Sequence, residues 1–170
     1  MKNAILKYGG YSFLIAMILF SISLLLGRAF SYSTHQLIGF LAIVTALVIA
    51  IYYSVKHLRE SYFKTEFGFG KAFAISLLIS FFVGFGVALT HFIYTSVINP
   101  DFMMEYLANH EEILKETLTE EEFLVKKEEL SKMPKYQKSS WYIAFMMYFV
   151  SVFWGFFVSL AMAMILKRKK

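Results

Sequence analysis

Apolar positions fill four long stretches that carry no formal charge: Tyr8–Gly27, Ala29–Val55, Ala72–Pro100 and Ser139–Leu166. Each is at least as long as the about 20 apolar residues a helix needs to cross a bilayer core. Runs such as Phe73–Phe85 and Ile143–Leu166 are apolar around the whole helical circumference. A soluble bundle would instead show charges on its outward faces every few residues. Backbone groups in hydrocarbon must be paired internally, so these runs are expected to be helices. The pattern predicts an all-α fold, a four-helix transmembrane bundle forming one integral membrane domain over residues 1–170. The expected spans are 10–26, 36–55, 72–98 and 140–166, and 101–138 is an insertion between spans three and four.

The insertion has a different periodicity. Phe102, Met103, Tyr106, Leu107, Ile113 and Leu114 recur at helical spacing, with Glu105, Glu111, Glu112 and Lys115 pointing away. Asn99-Pro100 ends span three, because proline disfavours the α region for the residue before it, and Asp101 is placed to cap the next helix. Thr119-Glu120-Glu121-Glu122 is a capping-box pattern with acid at the positive helix end. That helix is expected to bury Phe123, Leu124 and Leu130 and to stop at Met133-Pro134. The reading is an amphipathic helical hairpin lying at the extracytoplasmic surface, with Tyr136, Trp141 and Tyr142 marking the return into the interface. Span two is expected to continue as a helix through Lys56–Phe63, and Glu66–Lys71 to break the chain before span three.

Charge adds sidedness. Lys2, Lys7, the middle loop (Lys56, Arg59, Lys64, Lys71, Glu60, Glu66) and Lys167–Lys170 hold 10 basic and 2 acidic residues. Arg28 and the insertion hold 7 basic and 10 acidic residues, so one face is +8 and the other −3. The positive-inside rule places both termini in the cytoplasm of a multi-pass protein of the bacterial inner membrane. The net charge of +5 does not argue for nucleic acid, because the excess lies beside helix ends, where it anchors to anionic lipid headgroups. Membrane lipids, a second copy or another membrane protein are the expected partners. Gly10–Leu26 exceeds the h-region of a signal peptide and Arg28 sits in the would-be cleavage site, which favours an uncleaved first span.

Chemistry is sparse. Zero cysteines exclude disulfides and thiolate metal sites. No Walker loop, nucleophile elbow or HExxH is found, His110 lacks a second histidine one turn away, and no cofactor or metal is expected. His91 is the one non-tyrosine ionisable side chain well inside a span, with Thr90, Tyr94 and Thr95 nearby. Intramembrane histidines can carry protons or hold a ligand. The plainer expectation is an uncharged imidazole hydrogen-bonded to a hydroxyl or carbonyl on a neighbouring helix.

Small residues recur at four-residue intervals: Ala42, Ala46, Ala50 and Ser54 in span two, Ala72, Ser76, Ser80, Gly84 and Ala88 in span three, Ser151, Gly155, Ser159 and Ala163 in span four. Such stripes let helix backbones approach closely where lipid offers no hydrophobic drive. Packing within the chain is the plain reading, and pairing of the span-four stripe with a second copy the sharper one. Gly-aromatic clusters before spans one and three (Lys7–Tyr11, Glu66–Gly70) admit a duplicated two-helix unit.

The landmarks Lys7-Tyr8-Gly9, Phe67-Gly68-Phe69-Gly70-Lys71-Ala72-Phe73 and Asn99-Pro100-Asp101-Phe102 precede a charged insertion and a final span. In these the chain resembles, over essentially its whole length, the bacterial family of unknown function DUF4199, common in Bacteroidota. The resemblance implies an inner-membrane protein and brings no catalytic residues with it. Two functions are expected to compete: a scaffold or accessory subunit contacting a partner through the insertion, and an oligomeric transporter or channel subunit with a polar pathway near His91.

Overall fold

The computed structural model describes residues 2–63 and 67–167. The predicted loop residues Lys64 and Glu66 and the basic tail Arg168–Lys170 lie outside them. Among the described residues 90% are helical. Its elements are α1 (Lys2–Gly27), α2 (Tyr32–Tyr62), α3 (Phe69–Ile93), a π-helical turn (Tyr94–Ile98), α4 (Phe102–Thr117), α5 (Glu120–Ser131), a 3₁₀ turn (Lys135–Lys138) and α6 (Ser140–Leu166). Four of them, counting α3 with its π-turn, are long and apolar enough to cross a membrane. The apolar patterning therefore becomes a four-span helical membrane protein. Helix α1 starts well before the apolar run, and α2 runs on through the basic segment that follows its own.

Helix α3 is the hub. It packs most extensively on α6, then on α1, and less on α2. The small-residue stripes explain the α3–α6 seam. Ser76, Ser80 and Gly84 are buried on α3, and Ser151, Gly155, Ser159 and Ala163 are all buried on α6. A Cβ added at Gly155 would come within 2.5 Å of the Ser80 Cβ. The span-four stripe thus faces inward, toward the chain's own third span. On another side of α3, Gly86 meets α1 so closely that a Cβ there would lie 2.5 Å from the Phe13 carbonyl oxygen. Ala46, Ala50 and Ser54 are buried on α2, where the Ser54 and Ser12 hydroxyls approach to 3.3 Å, while Ala42 and Ala88 are only half-buried. Outward, α6 turns Trp141, Phe145, Phe149, Phe153 and Phe157 to the surroundings, an aromatic ladder of edge-on neighbours.

At the loop end of the bundle the Arg59 guanidinium donates to the Leu166 carbonyl at 3.1 Å, satisfying one of the orphan acceptors at the end of α6. Phe67 is fully buried beside Phe63, with ring centroids 5.0 Å apart. The expected chain break is there, but it is also a hydrophobic plug.

Helices α4 and α5 form where the insertion was expected to be helical, and neither has a buried residue. The Lys127 ammonium pairs with Glu111 across them at 2.5 Å. Leu124 and Val125 are 59% and 58% exposed, so the expected burial of Leu124 fails because none of the described residues covers that face of α5. Asp101 makes no side-chain cap. Its backbone is helical rather than extended, which aims the carboxylate away from the first turn. Asn99 takes over locally, donating to Glu105 at 2.8 Å.

The capping box of α5 is complete. Thr119 donates to Glu122 from its hydroxyl at 2.8 Å and from its backbone at 3.1 Å. These bonds hold the Glu122 carboxyl below the ordinary value of 4.5. A depressed folded value stabilises the helix start above that pH and loses the contribution as pH falls through it. NMR Cα shifts of Glu120–Ser131 are therefore expected to drift toward coil below the ordinary carboxylate value, and less so in Glu122→Gln. Equal drift in the two proteins would show that the box does not carry the effect.

Candidate functional site

The residues singled out around His91 divide between two cavities. Successive residues on a helix point about 100° apart, so Thr90 and His91 face different neighbours. Thr90 and Tyr94 meet Ser21 of α1 in a pocket of 80 Å³. His91 instead lines a cavity of 470 Å³ on the opposite side. Thr95 is buried and lines neither. The Thr90 and Thr95 hydroxyls donate back along their own helix to the Gly86 and His91 carbonyls, both at 2.9 Å. A threonine hydroxyl in a helix commonly bonds back to the carbonyl one turn earlier. Among the described residues, the Thr90 and Thr95 hydroxyls are therefore not free to meet the imidazole.

Nor does His91 find the cross-helix hydrogen bond expected for it. The residue is 4% exposed and its Nδ1 has no partner among the described residues. The ring is held by aromatics. Phe20 of α1 stacks on it at 6.1 Å and Phe102 of α4 meets it edge-on at 5.3 Å. A second buried atom without a partner, Ser159 Oγ, sits in the α3–α6 seam, where the small size of serine is what the packing uses.

The larger cavity lies between α2 and α6. Phe20 and Leu24 of α1 and His91 of α3 form its inner wall, and Phe102, Met103 and Tyr106 of α4 its cover. From Tyr32 to Ile43 it follows α2 for about 16 Å, at 1.5 Å per residue. Its walls are mostly aromatic and methionine side chains. Tyr32, Gln36 and Gln137 supply amide and hydroxyl groups, and Gln36 donates to the Tyr32 hydroxyl at 2.7 Å. Among the described residues no Asp, Glu, Lys or Arg lines it. Tyr106 packs edge-on against Tyr32 at 5.7 Å, joining the cover to the start of α2.

The π-turn at Tyr94–Ile98 follows His91 directly, closing with the Asn99 N–H on the Tyr94 carbonyl at 2.7 Å. Such widened turns are frequent at functional sites. Nothing in the residue pattern pointed to it, nor to the partnership of His91 with Phe20 and Phe102. His35, Gln36 and Gln137 also line the cavity, and each lies at a span end, where a polar residue costs little and so carries no signal of a site.

A further cavity, of 410 Å³, opens at the loop end between α1 and α2, with Tyr8, Ser12, Tyr53, Ser54 and His57 around it. Among the described residues no group of three or more histidines, aspartates and glutamates comes together as a metal site would need.

Residues 7–168 match the family model of the proteins of unknown function DUF4199. The chain belongs to that family. No curated protein and no solved structure matches it.

Proposed function

For this member of the DUF4199 family we propose the role of a membrane-embedded accessory subunit that holds a partner protein through α4 and α5. The observation that carries it is two helices with no buried residue that nonetheless expose Met104, Ile113, Leu124 and Val125 among acidic side chains. An apolar helix face with nothing to pack against costs ordering entropy without return, so the exposed face is kept for a contact outside the chain. The insertion holds ten acidic and six basic residues, and the occupant it fits is a basic protein surface with an apolar centre. In this reading the basic loop and tail anchor the cytoplasmic side of the inner membrane and the insertion faces away from it.

The rival reading, an oligomeric transporter or channel subunit, draws support from the intramembrane His91. It has less, because the hydroxyls near His91 are turned back onto their own helix and the cavity beside it is largely apolar.

Detergent extraction from native membranes followed by size separation tests the proposal. The wild-type chain is expected to run in a complex that dissolves in about 1 M salt, where the Debye length is about 3 Å. Leu124→Ser with Val125→Ser is expected to run at the size of the free chain, with its melting temperature within about 2 °C of wild type, since surface changes cost about 0.5 kcal/mol or less. An unchanged complex in the double variant would sink the assignment.

A further inference from the structure

We propose that the 470 Å³ cavity beneath α4 binds an uncharged, membrane-soluble ligand with a planar, oxygen-bearing ring, of the quinone class, and that His91 hydrogen-bonds a ring oxygen. The inference is independent of the partner assigned to α4 and α5.

Charge removes the commonest membrane ligands first. With no Asp, Glu, Lys or Arg on its described walls, and only the imidazoles of His35 and His91 as ionisable groups besides tyrosines, the cavity holds no fixed charge for a phosphate, carboxylate or ammonium head, and burying such a charge unpaired is prohibitive. An uncharged ligand faces no such barrier.

The walls then select shape. Phe20, Phe40, Phe102 and Tyr106 present aromatic surfaces against which a flat ring stacks in offset or edge-on geometry. Met103, Met133, Met146 and Met147 complete the lining with polarizable, adaptable side chains. A volume of 470 Å³ falls within the range of about 300–1,000 Å³ common to small-molecule sites.

Polar groups fix orientation, and they occur at two depths. His91 lines the inner part, buried and with no partner for Nδ1 among the described residues. Gln36, Gln137 and Tyr32 stand at the start of α2 and ahead of α6, near the insertion end. A flexible acylated alcohol needs polar contacts at one end only. A ring with oxygens on opposite edges uses both.

Binding by the full chain in maltoside micelles tests this, with decylubiquinone and menadione as the planar probes, oleoylglycerol as the flexible neutral one and oleate as the anion. Saturable one-to-one binding of a quinone that raises the melting temperature is expected, with oleoylglycerol and oleate at least tenfold weaker. His91→Leu is expected to weaken quinone binding about tenfold, the loss of one hydrogen bond, while melting no lower than wild type without ligand. Gly39→Leu gives an independent variant. A Cβ there meets only the edge of the Phe20 ring at 3.9 Å, so leucine grows into the cavity without a clash and is expected to abolish binding with the fold intact. The proposal is overturned by no saturable quinone binding, by oleoylglycerol binding as tightly, or by unchanged affinity in His91→Leu or Gly39→Leu. A ligand-free His91→Leu protein that melts lower than wild type would also overturn it, since the imidazole would then be satisfied within the fold.

Discussion

Phe67→Ala is expected to destabilise the protein by about 3–5 kcal/mol, the cost of removing a fully enclosed phenyl ring from a packed site. Most side chains of this bundle would lose little by meeting lipid, which is as apolar as they are. Phe67 is different because it lies in the connection between α2 and α3, fully buried against Phe63, where unfolding exposes it to water. The Lys71 ammonium sits 5.5 Å from the Phe63 ring centroid, so a cation packs against the same aromatic pair. Thermal melting in detergent is the measurement, and a fall of about 10 °C is expected for a chain of this size. Phe69→Ala is the matched control, since Phe69 is 40% exposed, and is expected to melt within about 2 °C of wild type. Equal shifts for the two variants would mean that the enclosure of Phe67 contributes nothing.

Gly86→Val is expected to separate α1 from α3, at a cost of about 3 kcal/mol or more. Even the first added carbon would stand 2.5 Å from the Phe13 carbonyl oxygen and 3.0 Å from the Ala16 Cβ. Both belong to a helix backbone or its first atom, so no side-chain rotation relieves the contact. Gly70→Ala should have the opposite sign. Nothing lies within 4 Å of its added carbon, and alanine in a helix is favoured over glycine by about 0.5–1 kcal/mol. Melting of the two proteins side by side, with cross-linking between cysteines placed on α1 and α3, reads both effects. A Gly86→Val protein that melts like wild type would refute the close crossing.

Much of this architecture is legible in the residues because lipid is a demanding solvent. It forces a helix wherever an uncharged run is long enough, which fixes the four spans. The Thr119–Glu122 box was readable for a local reason: its four residues contain both halves of the interaction. What could not be read was partnership. Ser151, Gly155 and Ser159 announce a narrow face, yet nothing in their spacing says that the facing helix is α3 of the same chain. Phe67 reads as loop punctuation ahead of two glycines, since burial there depends on Phe63 and the ends of two spans. The same limit hid the surroundings of His91. Its aromatic neighbours Phe20 and Phe102 lie 71 positions before it and 11 after it, on helices whose rotation is set by the α1–α3 crossing.

The α3–α6 seam has a bearing on how the chain is made. Helix α3 leaves the ribosome first, and the segment 99–139 must follow before α6 can join it, a delay of about 2–8 s at about 5–20 residues per second. During that interval Ser76 and Ser80 face lipid. Their hydroxyls are already bonded to the Ala72 and Leu77 carbonyls, at 2.8 and 2.7 Å, so no donor goes hungry in hydrocarbon. Ser151 brings the same arrangement from its own side, bonded to the Met147 carbonyl at 2.8 Å. Ser159 apart, the seam serines are hydrogen-bonded within their own helices before the seam is sterically closed, and until α6 arrives α3 presents the insertion machinery with nothing worse there than a shallow groove.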